Sequence, residues 1–131
     1  MALDIGIQSQ SKGTDPLERD LVVSLEYAEY SYLLDVFKEL ENKTGVHISD
    51  CDDARLQGGQ LELLHNLVEK VIENVKQKPQ TWQEHVGFQV HPRKENYETL
   101  IKSDFIEKLM SFLRLIEQAG KNERTLFFFG D

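Results

Sequence analysis

The stretch 125–131, TLFFFGD, decides the fold, because three consecutive phenylalanines leave neither face of a strand suited to water. Side chains alternate between the two faces of a strand, so Phe127, Phe128 and Phe129 together demand apolar cover on both sides. We therefore expect this segment to be a strand inside a sheet and not a solvent-facing edge. The rest of the chain must supply its neighbours.

Alternation of apolar residues predicts three more strands. The first covers residues 3–7, where leucine and isoleucine alternate with polar or small residues, and the second covers residues 20–26. The third covers residues 82–91, WQEHVGFQVH, whose alternation is typical of a half-buried antiparallel strand. Glu84 is the exception there, because it falls on the face that Trp82 shares with the other apolar residues.

Apolar residues at helical spacing predict three helices. The helices run from about Tyr27 to Lys43, from about Gly59 to Lys78, and from Ser103 or Asp104 to about Ala119. Segments 8–16, 45–59 and 91–96 are predicted to be polar loops or turns. The order β-β-α-α-β-α-β predicts a single α+β domain over residues 1–131, with three helices packed on a small, mostly antiparallel sheet of about four strands.

Bulk composition places the chain among ordinary globular domains. With 131 residues, 40% of them hydrophobic and 29% charged, the chain is long enough to bury a core without disulfides. Its one cysteine, Cys51, cannot form an internal disulfide, and its N-terminus has neither the basic start nor the apolar run of a signal peptide. These features favour a cytoplasmic location, and no apolar run approaches the ~18 residues that a membrane span needs.

The acidity of the chain is confined to its first half. Residues 1–62 contain thirteen Asp or Glu and five Lys or Arg, which gives −8, whereas residues 63–131 contain ten of each and balance. An acidic field repels nucleic acid and anionic membranes and attracts basic partners. Solubility alone is an equally good reason for such an excess, and the sequence leaves both interpretations open.

The loop Asp50-Cys51-Asp52-Asp53 holds the densest group of carboxylates. Counted from Asp50, the positions where a calcium loop requires glycine and glutamate hold Arg55 and Leu61, so the calcium pattern fails. Three interpretations stay open: side chains that turn the backbone while Arg55 screens them, an acidic patch that binds a partner, and a weak metal site. The acidic neighbours of Cys51 disfavour its thiolate, which argues against a nucleophile.

The four histidines, at positions 47, 65, 85 and 91, form no recognisable metal or catalytic motif. His85 and His91 lie on the same side of the predicted third strand but roughly 20 Å apart, which is too far to share a metal. We therefore expect no cofactor and no metal. The alternative is a small-ligand-binding protein or an enzyme with a pocket near His85 and His91.

The first predicted helix offers a candidate binding face. With Tyr30 facing the core, Tyr32, Asp35 and Glu39 fall on the opposite face, three and four residues apart. An exposed tyrosine framed by carboxylates can hold a lysine or arginine through a cation–π contact and charge-assisted hydrogen bonds. A solvated helix face with one exposed ring is the alternative interpretation.

Two stretches of the chain resemble a group of small, cytosolic bacterial proteins. They are the helix–loop–helix from Tyr30 to Leu64, with TGVHISDCDDARL and then GGQL, and the TWQEHVGFQVHP strand with the closing FFFGD. Some proteins of this size, acidity and layout are immunity proteins against secreted or contact-delivered toxins. The resemblance implies a bacterial cytoplasmic binding protein instead of an enzyme, and it transfers no functional residue.

The sequence thus predicts a non-enzymatic protein-binding module whose acidic surface, within residues 26–62, neutralises a basic toxin domain. Such pairing gives fast and salt-sensitive association, with neither nucleic acid nor membrane as the partner. The monomer and the homodimer are both open, and a homo-oligomeric structural subunit is a further alternative. The candidate partner-binding residues are Tyr32, Asp35, Glu39, Asp50, Asp52 and Asp53.

Overall fold

A computed structural model describes residues 2–7, 22–49, 51–90 and 93–130. Within these ranges the strands are β1 (Ala2–Ile7), β2 (Val23–Glu26), β3 (Ala54–Leu56), β4 (Thr81–Val90), β5 (Arg93–Ile101) and β6 (Leu126–Gly130). The helices there are α1 (Tyr27–Tyr32), α2 (Leu34–Thr44), α3 (Gly59–Lys76) and α4 (Lys102–Lys121). The predicted α+β class is confirmed, whereas the loop predicted at residues 8–16 lies outside the described ranges.

The last strand lies in the interior of the main sheet. This sheet has four strands in the order β2-β1-β6-β3, and each neighbouring pair is antiparallel. Phe128 is opposite Ile5 of β1 on one side and opposite Ala54 of β3 on the other. The prediction that three phenylalanines mark an interior strand is therefore confirmed.

The two faces of β6 have different surroundings. Phe128 points into the main core, where its ring centroid lies 6.4 Å from those of Phe37 and Phe112. Phe127 is also buried, but it lies on the other face of the strand, and the guanidinium of Arg55 stands 4.8 Å from its ring centroid. The helices thus cover one face of β6, and a cation–π contact contributes to the cover of the other.

The two longest helices bury one continuous apolar stripe each. The stripe of α3 consists of Leu61, Leu64, Leu67, Val68, Val71, Ile72 and Val75. The stripe of α4 consists of Phe105, Leu109, Phe112, Leu113, Leu115, Ile116 and Ala119. Both stripes repeat every three or four residues, as an amphipathic helix requires, and they join the side chains of β1 and β6 in one core. None of the described helices is long and apolar enough to cross a membrane.

The first predicted helix is in fact two helices. Helix α1 ends at Tyr32, the backbone of Leu33 has φ −90° and ψ 2°, and α2 begins at Leu34. Leu33 is fully buried at this junction. Backbone hydrogen bonds from the N–H of Leu33 to Glu29 and from the N–H of Phe37 to Leu33 still connect the two helices. Tyr30 and Phe37 therefore share the core face that the sequence predicted, with ring centroids 5.8 Å apart.

The predicted strand at 82–91 exists as β4, but it pairs with β5 in a separate two-stranded sheet. The turn predicted at 91–96 is wrong from residue 93 onward, where β5 begins, and residues 91–92 lie outside the described ranges. The hairpin contains a bulge between His85 and Gly87, where the glycine adopts φ 139°. The fourth strand of the main sheet is β3, inside the segment 45–59 that was predicted to be a loop.

We predict that the two neighbouring phenylalanines of β6 contribute very differently to stability. Phe128 is 0% exposed and Phe129 is 36% exposed. Phe128→Ala should lower the free energy of unfolding by about 3–5 kcal/mol, because it leaves a cavity between two aromatic rings. Phe129→Ala is the matched control and should cost less than about 1 kcal/mol. Urea denaturation followed by circular dichroism measures both, and equal losses would contradict the placement of Phe128 in the core.

Candidate functional site

Asp35 and Glu39 lie on the exposed side of α2, one turn apart. Glu39 forms an ion pair with Lys43 at 3.4 Å, and both side chains are about half exposed. Lys38 is exposed on the same helix. This helix face therefore has mixed charge, and an exposed pair of this kind adds little to stability because solvent screens it.

Tyr32 is turned toward the hairpin, so the prediction that its ring is exposed opposite the core is wrong. The ring packs edge-on against Trp82 and Phe105, with centroids 5.8 Å and 5.4 Å away. Burial, and secondly the negative charge of Glu84, raises the pKa of the Tyr32 phenol. The error arises because β4 packs against this side of α1, a contact that the helical pattern of residues 27–43 does not show.

The acidic loop packs against the end of β6. The backbone N–H of Gly130 donates a hydrogen bond to Oδ1 of Asp53 at 3.2 Å. A Cβ atom at Gly130 would meet the backbone of Asp52, so only glycine fits this close approach. Asp53 therefore helps to hold the sheet, whereas the side chain of Asp52 is exposed. Asp50 lies outside the described residues.

His47 joins the end of α2 to the acidic loop. Its Nδ1 lies 3.0 Å from Oε2 of Glu41. The hydrogen bond with Glu41, the charge of Glu41 and then the charge of Asp52 raise the pKa of His47. We name Glu41, His47, Asp52 and Asp53 the acidic cluster. It brings carboxylates from two separate segments to one exposed surface around a histidine.

The chemistry of the acidic cluster is charge complementarity. Carboxylate oxygens attract the ammonium group of lysine and the guanidinium group of arginine. Within the residues that the structure describes, no group of three or more His, Cys, Asp or Glu is placed to hold a metal ion. Cys51 is exposed beside the cluster, and its backbone N–H donates to Oγ of Ser49 at 2.9 Å.

The alternative site near His85 and His91 is only half described, because His91 lies outside the described ranges. His85 lies on the exposed face of the hairpin, hydrogen-bonds to Glu95 and contacts the ring of Tyr97 at 5.3 Å between centroids. Three grooves formed by described residues lie beside β2 and α4 or between α3 and α4, and His85 lines none of these three. The contacts of His85 are therefore within the hairpin.

Two charged clusters were missed by the sequence analysis. His65 on α3 has Nδ1 2.8 Å from Glu69 and Nε2 2.8 Å from Glu117 on α4. Glu29 is 6% exposed, and its Oε1 forms an ion pair with Nζ of Lys108 at 2.8 Å. The spacing of four residues between His65 and Glu69 was visible in the sequence. His65 and Glu117 are 52 residues apart, and Glu29 and Lys108 are 79 residues apart, so only the fold could reveal these two contacts.

The chain matches no family model, no curated protein and no solved structure. The resemblance to small bacterial immunity proteins accordingly rests on the quoted stretches alone and stays a prediction.

We predict that His47 titrates above the ordinary range of histidine. In an NMR pH titration, Glu41→Gln should lower the pKa of His47 more than Asp52→Asn does, because the hydrogen bond with Glu41 is the larger cause. Since folding raises this pKa, protonated His47 stabilises the fold below its unfolded pKa, and this contribution is lost as the pH rises through the folded pKa. An unchanged His47 pKa in Glu41→Gln would refute the contact.

Proposed function

We propose that this chain is a non-enzymatic protein-binding module that docks a basic protein through the acidic cluster. The observation that carries the proposal is the hydrogen bond of His47 with Glu41, together with the charge of Asp52, which also raises the pKa of His47. It places the C-terminal end of α2 and the loop before β3 on one exposed surface. Glu41 and Asp52 act on the same histidine, and Asp53 follows Asp52 in an exposed loop, so a cationic partner surface complements these carboxylates.

The distribution of charge along the chain supports the same surface. The imbalance of −8 lies within residues 1–62, which include every member of the acidic cluster. An excess of negative charge attracts a basic partner and raises the rate of encounter. Asp35 and Glu39 of α2 extend the surface, although Lys43 partly offsets them.

The kind of partner is proposed from the resemblance of the chain to bacterial immunity proteins. An immunity protein binds a toxin in the cytoplasm of the cell that makes it and covers the toxin's functional site. A toxin domain that acts on an anionic substrate carries a cationic site, and the acidic cluster complements such a site. We therefore propose a basic toxin domain as the partner and the bacterial cytoplasm as the place of action.

We expect binding to depend on two carboxylates of the cluster. The double variant Glu41→Gln, Asp52→Asn removes two negative charges and leaves the hydrogen bond of Asp53 intact. The control Glu73→Gln, Glu107→Gln removes two exposed charges from α3 and α4 instead. Each variant, immobilised at low salt, is tested for capture of basic proteins from the source cells and then for affinity and association rate against the captured protein. The cluster variant should bind about tenfold more weakly, or ~1.4 kcal/mol, with a smaller salt dependence.

The control variant should bind like the unmodified chain, because the change in net charge is the same but its location differs. Equal losses in both variants would leave only general charge attraction and reject the acidic cluster as the docking surface. Inhibition of the captured protein's own toxic activity by the unmodified chain then tests the immunity role. Binding without inhibition would retain the binding module and reject the toxin as partner.

A further inference from the structure

The apolar face of the hairpin carries two carboxylates that face each other. Glu84 on β4 is directly opposite Glu98 on β5, and the preceding pair on the same face is Trp82 and Leu100. Like charges placed directly opposite destabilise an antiparallel pair. A cation beside these carboxylates removes the repulsion, so the arrangement itself favours a positively charged group at this position.

The aromatic rings of Tyr32 and Trp82 lie next to Glu84 and pack on a buried phenylalanine. The centroids of Tyr32 and Trp82 are 5.8 Å apart, and both rings contact Phe105, which is 1% exposed. Nε1 of Trp82 donates a hydrogen bond to Oε2 of Glu84 at 3.2 Å, which fixes the indole against the carboxylate. Tyr32 and Trp82 remain partly exposed, so a group from solvent can reach their faces.

Lys78 of the same chain already places its ammonium group over both rings. Its Nζ lies 5.8 Å from the centroid of Tyr32 and 5.6 Å from that of Trp82. Cation–π attraction extends to about 6 Å from the centroid, so Lys78 is held near the outer limit of the contact. Lys78 forms no ion pair within the described part of the chain. A flexible side chain held this loosely can be exchanged for another cation.

We propose that Tyr32, Trp82, Glu84 and Glu98 form a binding site for an alkylammonium or guanidinium group, and that Lys78 covers its two rings in the unbound protein. The incoming cation displaces the ammonium group of Lys78 and lies over the two rings beside the carboxylates. A guanidinium binds better than an ammonium, because it is planar, less strongly hydrated and able to stack on an aromatic face. The site is separate from the acidic cluster and does not depend on the proposed function.

The only tryptophan of the chain is Trp82, so its fluorescence reports on this site alone. We expect a saturable change when acetyl-arginine amide is titrated into the protein at constant ionic strength. Lys78→Ala empties the site and should tighten binding by roughly threefold or more, since the probe no longer competes with an internal occupant. Lys76→Ala removes an exposed lysine two residues away and is the matched control, with unchanged affinity expected.

Glu84→Gln in the Lys78→Ala background should weaken the binding of acetyl-arginine amide, because it removes one of the two carboxylates. The NMR signal of the Trp82 indole N–H gives a second readout that also shows whether each variant is folded. A short Gly/Ser peptide with one arginine is the second probe. Comparing it with acetyl-arginine amide shows whether the ligand is a small free cation or the side chain of a protein. Binding of both probes supports a general cation site, and binding of the peptide alone supports a protein side chain as the ligand. A Lys78→Ala protein that is folded and binds neither probe saturably overturns the proposal.

Discussion

Strand β6 must lie between β1 and β3 for the rest of the molecule to form. Its partners come from residues 2–7 and 54–56, so the sheet closes only when the two ends of the chain meet. Phe127 and Phe128 are buried on opposite faces of β6, so this strand needs cover on both sides, whereas Phe129 stays 36% exposed. The end of β6 in turn supports the acidic loop, since Asp53 accepts the N–H of Gly130. The loop that carries Asp52 is thus held against the end of the last strand.

The buried ion pair between Glu29 and Lys108 fixes the second important relation, that of α1 to α4. Glu29 also accepts the backbone N–H of Glu26 at 2.7 Å, so its carboxylate both begins α1 and holds the ammonium group of α4. Taking a carboxylate out of water is costly, and two donors on one oxygen atom offset that cost. With α1 held in this orientation and interrupted at Leu33, Tyr32 is directed toward Trp82.

Periodicity was sufficient to predict the long elements and failed where a short or polar segment depends on its neighbours. The stripes of α3 and α4 and the interior position of β6 could be predicted from the sequence. Strand β3 has only three residues, and β5 is largely polar, so neither shows the alternation that predicts a strand. Candidate residues Asp35 and Glu39 were placed correctly on the exposed side of α2. Tyr32 was misplaced, because Trp82 of the hairpin packs on its side of α1 and the helical pattern alone cannot show that contact.

The two proposed sites attract cations by different physics, and salt separates them. The carboxylates of the acidic cluster act at a distance through solvent, and at physiological ionic strength such attraction fades beyond about 8 Å. The rings of Tyr32 and Trp82 act only on a cation in contact with them, where little water or salt intervenes. Long-range attraction therefore governs the rate of encounter, whereas the aromatic contact governs how long a bound cation stays. A partner that uses both surfaces would lose association rate but retain a specific contact as the salt concentration rises.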